Sequence, residues 1–212
     1  MNVIKQWRNE TLAKKMVEFL PSKGYNAYYA QNADEAKAKI LELIPHGSSV
    51  AMGGSVTLTE MGMVDIFRGE EYKFFDRFAA KNYGEQYDIY RKSFLSDYLV
   101  TSTNALTKNG ELVNVDCSGN RVAGMILGPD NVIIVCGVNK IVDNIDEGLE
   151  RLKKVAPMNC KRLNHQTPCF ETAECESCDS QARMCNYTTI IHHGRKHPGR
   201  YSIIVVAEEL GF

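Results

Sequence analysis

Short β-rich apolar segments alternate with segments whose apolar residues recur at helical spacing, and the alternation runs the length of the 212-residue chain. That pattern predicts a mainly parallel sheet covered by helices, because a parallel strand needs a crossover to return to its starting edge. Ile4–Leu20 carries Leu12, Met16, Phe19 and Leu20 on one stripe and stops at Pro21-Ser-Lys-Gly24. Tyr25–Ala30 is β-rich. Asn32 begins a second helix, answered by Glu35 as in a capping box, which runs to about Ile44.

Ser49–Met52 reads as a strand, Gly53-Gly-Ser55 as a turn, and the residues up to about Phe67 as a helix. Lys73–Phe75 and Asp97–Ser102 are strand candidates on either side of a helix at Glu85–Phe94. Lys108-Asn-Gly-Glu111 is a hairpin signal joining Ala105–Thr107 to Leu112–Val115. The order Leu112-Val-Asn-Val115 alternates too irregularly to define a buried face. A short helix at Gly119–Leu127, a strand at Val132–Cys136, an amphipathic helix at Asn144–Val155 and a closing strand at Tyr201–Ala207 complete the pattern. One α/β domain over 1–212 is expected, with one hairpin excursion and no internal repeat or linker.

Formal net charge is −1, which argues against a nucleic-acid-binding surface. The basic run Gly194–Arg200 reads as a solvated turn before a strand. Residues 1–10 have no apolar signal region, and Ile203–Ala207 is strand-sized, too short to cross a bilayer. These features lead to the expectation of a cytoplasmic protein without membrane or nucleic-acid partners. In that compartment seven cysteines favour thiols and metal sites over disulfides.

Ligands of open α/β sheets collect beyond the carboxyl ends of the strands. Three polar segments would converge there: Gly53, Gly54 and Ser55; Asp116, Asn120 and Arg121; and Asn139 with Lys140. Asn104 would make a fourth. The glycine turn presents N–H groups suited to a phosphate or carboxylate, unless it is a tight turn alone. Arg121 suits bidentate pairing with an anion, with Asp116 orienting it or acting as a base, unless the two merely cap a helix start. Glu60 is a general-base candidate near the glycine turn, with an ordinary exposed helix glutamate as the alternative. No nucleophile-elbow, zinc-protease or P-loop motif occurs.

Several motifs occur in order: Thr103-Asn-Ala-Leu-Thr107, Gly110-Glu-Leu-Val-Asn-Val-Asp116, Gly119-Asn-Arg-Val-Ala123, Gly137-Val-Asn-Lys-Ile-Val142, Arg183-Met-Cys-Asn186 and the segment Pro198–Phe212. Together they resemble the LUD-domain family, which includes lactate-utilisation protein C. The resemblance spans about residue 10 to the C-terminus. It implies a fold like that of the ribose-phosphate isomerase, glucosamine-phosphate deaminase (NagB/RpiA) and CoA-transferase group. It also implies small-organic-acid metabolism, since some members take part in oxidising L-lactate to pyruvate beside separate iron–sulfur proteins. Cys117 departs from the pattern, standing where the family usually has glycine.

Cys169, Cys175, Cys178 and Cys185 offer four thiolates, the number taken by a [4Fe–4S] cluster or structural zinc. Their spacing, x5, x2 and x6, contains a single CxxC and matches neither a zinc ribbon nor the ferredoxin run. Free or disulfide-forming thiols are the third option. The residues between are polar and acidic, so 158–186 reads as a cysteine-rich insert, a surface loop needing a staple. Cys117, Cys136 and Cys160 are expected to be small core residues, with Cys160 and His165 as substitute ligands.

Two functions compete at this point. One is an oxidoreductase subunit binding an anionic metabolite and a four-cysteine iron–sulfur cluster, with an iron–sulfur or flavin protein as redox partner. The other is a non-catalytic ligand-binding or complex-assembly protein with structural zinc. A homodimer is the base-rate expectation.

Overall fold

The computed structural model describes residues 2–212. Helix α1 spans Val3–Phe19 and leads through a 3-10 turn at Leu20–Lys23 to strand β1, Asn26–Ala30. Then follow α2 (Ala33–Leu43), β2 (Ser49–Met52), α3 (Val56–Glu60), α4 (Met63–Phe67), β3 (Lys73–Phe75), α5 (Tyr83–Ser93) and β4 (Tyr98–Ser102). The second half comprises β5 (Ala105–Thr107), β6 (Leu112–Asp116), α6 (Asn120–Ile126), β7 (Asn131–Gly137) and β8 (Ile141–Val142). It closes with α7 (Ile145–Arg162), α8 (Pro168–Thr172), β9 (Tyr187–Ile191) and β10 (Tyr201–Val206).

Six strands form a parallel sheet in the order β1-β10-β7-β4-β2-β3. Its central strands are apolar at consecutive positions because both faces are covered. In β7, Val132, Ile134 and Cys136 face one core with Ile203 and Val205 of β10, under α1. Ile133 and Val135 face the other core with Ile204 and Val206, under α2, α3 and α4. Burying each such side chain contributes about 1.5–3 kcal/mol. Among the described residues, no helix is long and apolar enough to cross a membrane.

The hairpin is not an isolated excursion. It belongs to a second, four-stranded sheet, β8-β5-β6-β9, in which β5–β6 and β6–β9 are antiparallel and β5–β8 parallel. Leu106 and Leu112 join the α1 core, while Ala105 and Val113 pack with Leu149 and Leu152 of α7. The hairpin is therefore sandwiched, which explains why β6 lacks alternation.

Two helix expectations change. The helix after the glycine turn is broken at Gly62, whose φ of 71° favours glycine, leaving two five-residue pieces. Helix α7 runs past Val155 through the buried Pro157 to Arg162, although a proline forfeits one helical hydrogen bond. The basic run is a turn as expected, but Arg200 within it is structural: it donates to the carbonyls of Gly124, Met125 and Pro129 at 2.9, 2.6 and 3.0 Å.

Candidate functional site: a basic cleft at the strand ends

Parallel packing puts the carboxyl ends of all six strands on one edge. A cleft of about 880 Å³ opens there, between that edge, the start of α6, one face of α5 and the end of α7. Gly54, Ser55, Asn104, Asp116, Asn120, Arg121 and Lys140 all line it. Three other candidates do not. Gly53 lies beneath the cleft against Arg121, and a Cβ there would sit 2.6 Å from Thr101 Oγ1. Glycine at that position serves close packing. Asn139 turns away and holds the C-terminal segment, accepting from Leu210 N–H at 3.1 Å. Glu60 is exposed and accepts from Gly211 N–H at 3.2 Å.

Lys140 is the centre of the cleft's chemistry. It follows β7 in a single 3-10 turn and is only 5 % exposed. Its Nζ donates to Thr57 Oγ1 at 2.8 Å and Ser102 Oγ at 3.0 Å, and among the described residues it is in no ion pair. Burial, with help from Arg151 and Arg121, pulls its pKa down to about 8. A buried cation held only by neutral hydroxyls leaves an uncompensated positive field, which an anion entering the cleft would neutralise.

Arg121 is also buried, but its fork is occupied. Nη1 donates to Ser102 O at 3.1 Å and Asn114 Oδ1 at 2.6 Å; Nη2 donates to Asn104 Oδ1 at 2.9 Å and Val115 O at 2.7 Å. All four acceptors are uncharged. Burial lowers its pKa too. It therefore ties β4, the hairpin and α6 together and lends charge to the cleft without offering a free bidentate face. Asp116 does not pair with the guanidinium. Its Oδ1 accepts from Cys117 N–H at 3.0 Å, and its Oδ2 from Arg121 and Val122 N–H at 3.1 Å each. This is helix capping, the alternative open in the sequence. Ser55 Oγ likewise accepts from Leu58 N–H at 3.3 Å, and α3 behind it is too short for a sizeable dipole.

The cysteine-rich segment forms part of the same wall, through Met184, Cys185 and Asn186. Asn186 anchors it: its N–H donates to Asp116 O and its Nδ2 to Cys117 O, both at 3.1 Å. Cys117, the departure from the family pattern, is half-buried and lines the cleft beside this anchor. Cys136 and Cys160 are buried in keeping with a core role. Cys169 is buried on α8, Cys178 and Cys185 are half-buried, and Cys175 is exposed; all seven thiols are free.

Burial and then the charge of Cys160, Cys175 and Cys169 push Cys185 up to about 11, and burial with Cys169 and Cys178 raises Cys160. Among the described residues, no group of three or more His, Cys, Asp or Glu side chains stands at metal-holding positions. Cys169, Cys175, Cys178 and Cys185 carry the soft donor type that thiolate-held centres take. Asn164, Ala173 and Ser177 take left-handed φ of 55°, 61° and 50°, which non-glycine residues adopt only where surroundings demand it.

Some cleft residues were missed in the sequence. Arg77 lies just beyond β3, so the strand-end rule applied there would have found it. Tyr83, Tyr87 and Arg162 carry no sequence signal; crossover packing brings them in.

An α/β protein with a basic strand-end cleft is the class these features define. The chain matches the LUD domain over residues 13–206 and belongs to that family. Among solved structures it is similar to a DUF162 family protein from Deinococcus radiodurans, with a TM-score of 0.52 at 11% identity, covering 93% of this chain and 97% of that one. It is more distantly similar to eIF2B delta from Chaetomium thermophilum (TM-score 0.37, 11% identity, 64% of this chain and 54% of that one). For eIF2B beta from the same organism the TM-score is 0.36 at 14% identity, over 53% and 43%. No curated protein matches the chain significantly.

Proposed function

We propose that this LUD-domain protein is a cytoplasmic redox subunit of small-organic-acid metabolism of the lactate type. In this reading Lys140 holds an anionic metabolite in the cleft, and Cys169, Cys175, Cys178 and Cys185 hold a [4Fe–4S] cluster. The observation that carries it is the buried Lys140 ammonium, partnered only by hydroxyls, in a cleft walled on one side by the cysteine segment. A metabolite carboxylate would take its place beside Nζ, with Ser55 and Asn120 lining the approach. Arg121 keeps the floor rigid and positive. A cluster, when bound, supplies one-electron transfer, and an iron–sulfur or flavin partner protein would accept the electrons.

The first measurement is visible absorbance with iron, sulfide and zinc content on anaerobically purified protein. A brown protein with about four irons per chain supports the reading. A colourless one with about one zinc turns the segment into a staple and favours the binding-protein alternative. Calorimetric titration with L-lactate, pyruvate and oxalate tests the cleft. Lys140→Met is expected to weaken binding by about 10- to 100-fold, the worth of a hydrogen bond to a charged group. An unchanged affinity would remove Lys140 from the site.

A further inference from the structure

A three-carbon acid beside Lys140 leaves most of an 880 Å³ cleft unexplained. The outer end has its own chemistry. Arg77, just after β3, lies 5.2 Å from the centre of the Phe78 ring and 5.1 Å from that of Tyr90. Its Nε is buried and has no hydrogen-bond partner. Arg162, at the end of α7, donates from Nε and Nη2 to Asn159 Oδ1 at 3.3 and 3.0 Å. Burial and then the charge of Arg77 lower its pKa, and both residues line the same cleft. Neither is among the ion pairs of the described residues. Among the described residues lining the cleft the one acidic side chain is Asp116, whose oxygens already serve backbone N–H groups. Two guanidiniums lining one cleft, neither in an ion pair, suit a multiply charged anion such as a phosphate.

Flat rings stand beside them. Tyr83 and Tyr87 follow one face of α5 at helical spacing, their centroids 6.2 Å apart and their planes inclined by 36°. Both line the cleft and remain 63 % and 49 % exposed. Exposed tyrosines within a concavity have apolar faces still to be covered, and an aromatic base would cover them. The cleft volume lies in the range that encloses ligands of that size.

We propose that the outer end of the cleft binds a nucleotide, its phosphate between Arg77 and Arg162 and its flat ring against Tyr83 and Tyr87. The ring is that of adenine or of a flavin; the shared chemistry is a phosphate joined to a planar heterocycle. The proposal uses none of the Lys140 contacts and stands whether or not Lys140 holds an organic acid.

The test is calorimetric titration of the full chain with ADP, FMN, adenosine, riboflavin and inorganic pyrophosphate. ADP or FMN is expected to bind at least about tenfold tighter than its nucleoside and than pyrophosphate, because each ring and each charged contact adds over 1 kcal/mol. Whichever of the two binds more tightly identifies the ring. Arg162→Met, on an exposed residue, is expected to weaken the nucleotide at least about tenfold and to leave oxalate binding unchanged. Tyr87→Ala is expected to weaken the nucleotide but not pyrophosphate. Arg77→Met serves as a third variant where it folds. Binding no tighter than pyrophosphate, or nucleotide affinity indifferent to Arg162→Met, overturns the proposal. Lys140→Met, read with oxalate, reports separately on the inner site.

Discussion

Lys140 is a cation that the protein keeps out of water without giving it an anion, and that choice has a pH signature. Its pKa of about 8 is below the usual lysine value of 10.5, so it is charged below pH 8 and increasingly neutral above. Anion affinity is therefore expected to be flat up to about pH 7.5 and then to fall about tenfold per pH unit. Calorimetry with oxalate between pH 6 and 10 measures this, and Lys140→Met should abolish the slope. A slope that survives the substitution would assign the titration elsewhere. Arg121 gives the contrasting case. With four hydrogen bonds to buried acceptors, Arg121→Met is expected to lower stability by about 2–3 kcal/mol in urea unfolding. Arg121→Lys should not restore it, because an ammonium cannot span the same acceptors. An anion-binding defect without a stability loss would return Arg121 to the role its position in the sequence suggested.

At the level of elements, three helices start in the same way. Asn32, Asn82 and Asn144 each accept from the N–H of a glutamate three residues on, at 3.0 Å in every case. Glu35, Glu85 and Glu147 each reach back to the N–H before the cap, at 2.8, 2.9 and 2.9 Å. Such starts are local: the Asn32 box was read directly and the Asn144 start to within a residue, while α5 was begun at Glu85, past its Asn82 cap. Asn144→Ala is expected to cost about 1 kcal/mol and to loosen α7, detected as faster amide exchange in its first turn. Where an element's shape depended on distant packing, the reading stopped short. The reading ended α7 at Val155, whereas the helix continues through the buried Pro157 to Arg162. β8 and β9 were passed over: one is two residues long, and the other, Tyr187-Thr-Thr-Ile-Ile191, follows the cysteines and owes its place to pairing with β6.

On the scale of the whole molecule, the middle of the cysteine segment lies outside the core. Residues 171–177 are exposed throughout, and among the described hydrogen bonds from Arg183 are those to Cys178 O and Cys185 O, within the segment itself. Removing a thiol-bound metal should therefore leave the six-stranded sheet intact. Limited proteolysis is expected to cut the metal-free chain between Glu171 and Arg183 and to spare the metal-loaded one. Equal cutting of both forms would mean that no metal orders the segment.

The α/β class, the strand-end edge and most element positions came from the sequence alone, because helix caps, turn chemistry and apolar periodicity are local and each is written within a few residues. Lys140, Ser55, Asn104 and Asn120 were legible as cleft residues for the same reason: they follow strands or begin helices. Only the tertiary structure decided that Arg121 and Asp116 direct their hydrogen bonds into the chain, that Glu60 and Asn139 face the C-terminal segment, and that Arg77, Arg162 and two tyrosines line the cleft's outer end. Those outcomes depend on which side chains meet across elements far apart in sequence, and that is set by strand order and sheet packing, not by spacing along the chain.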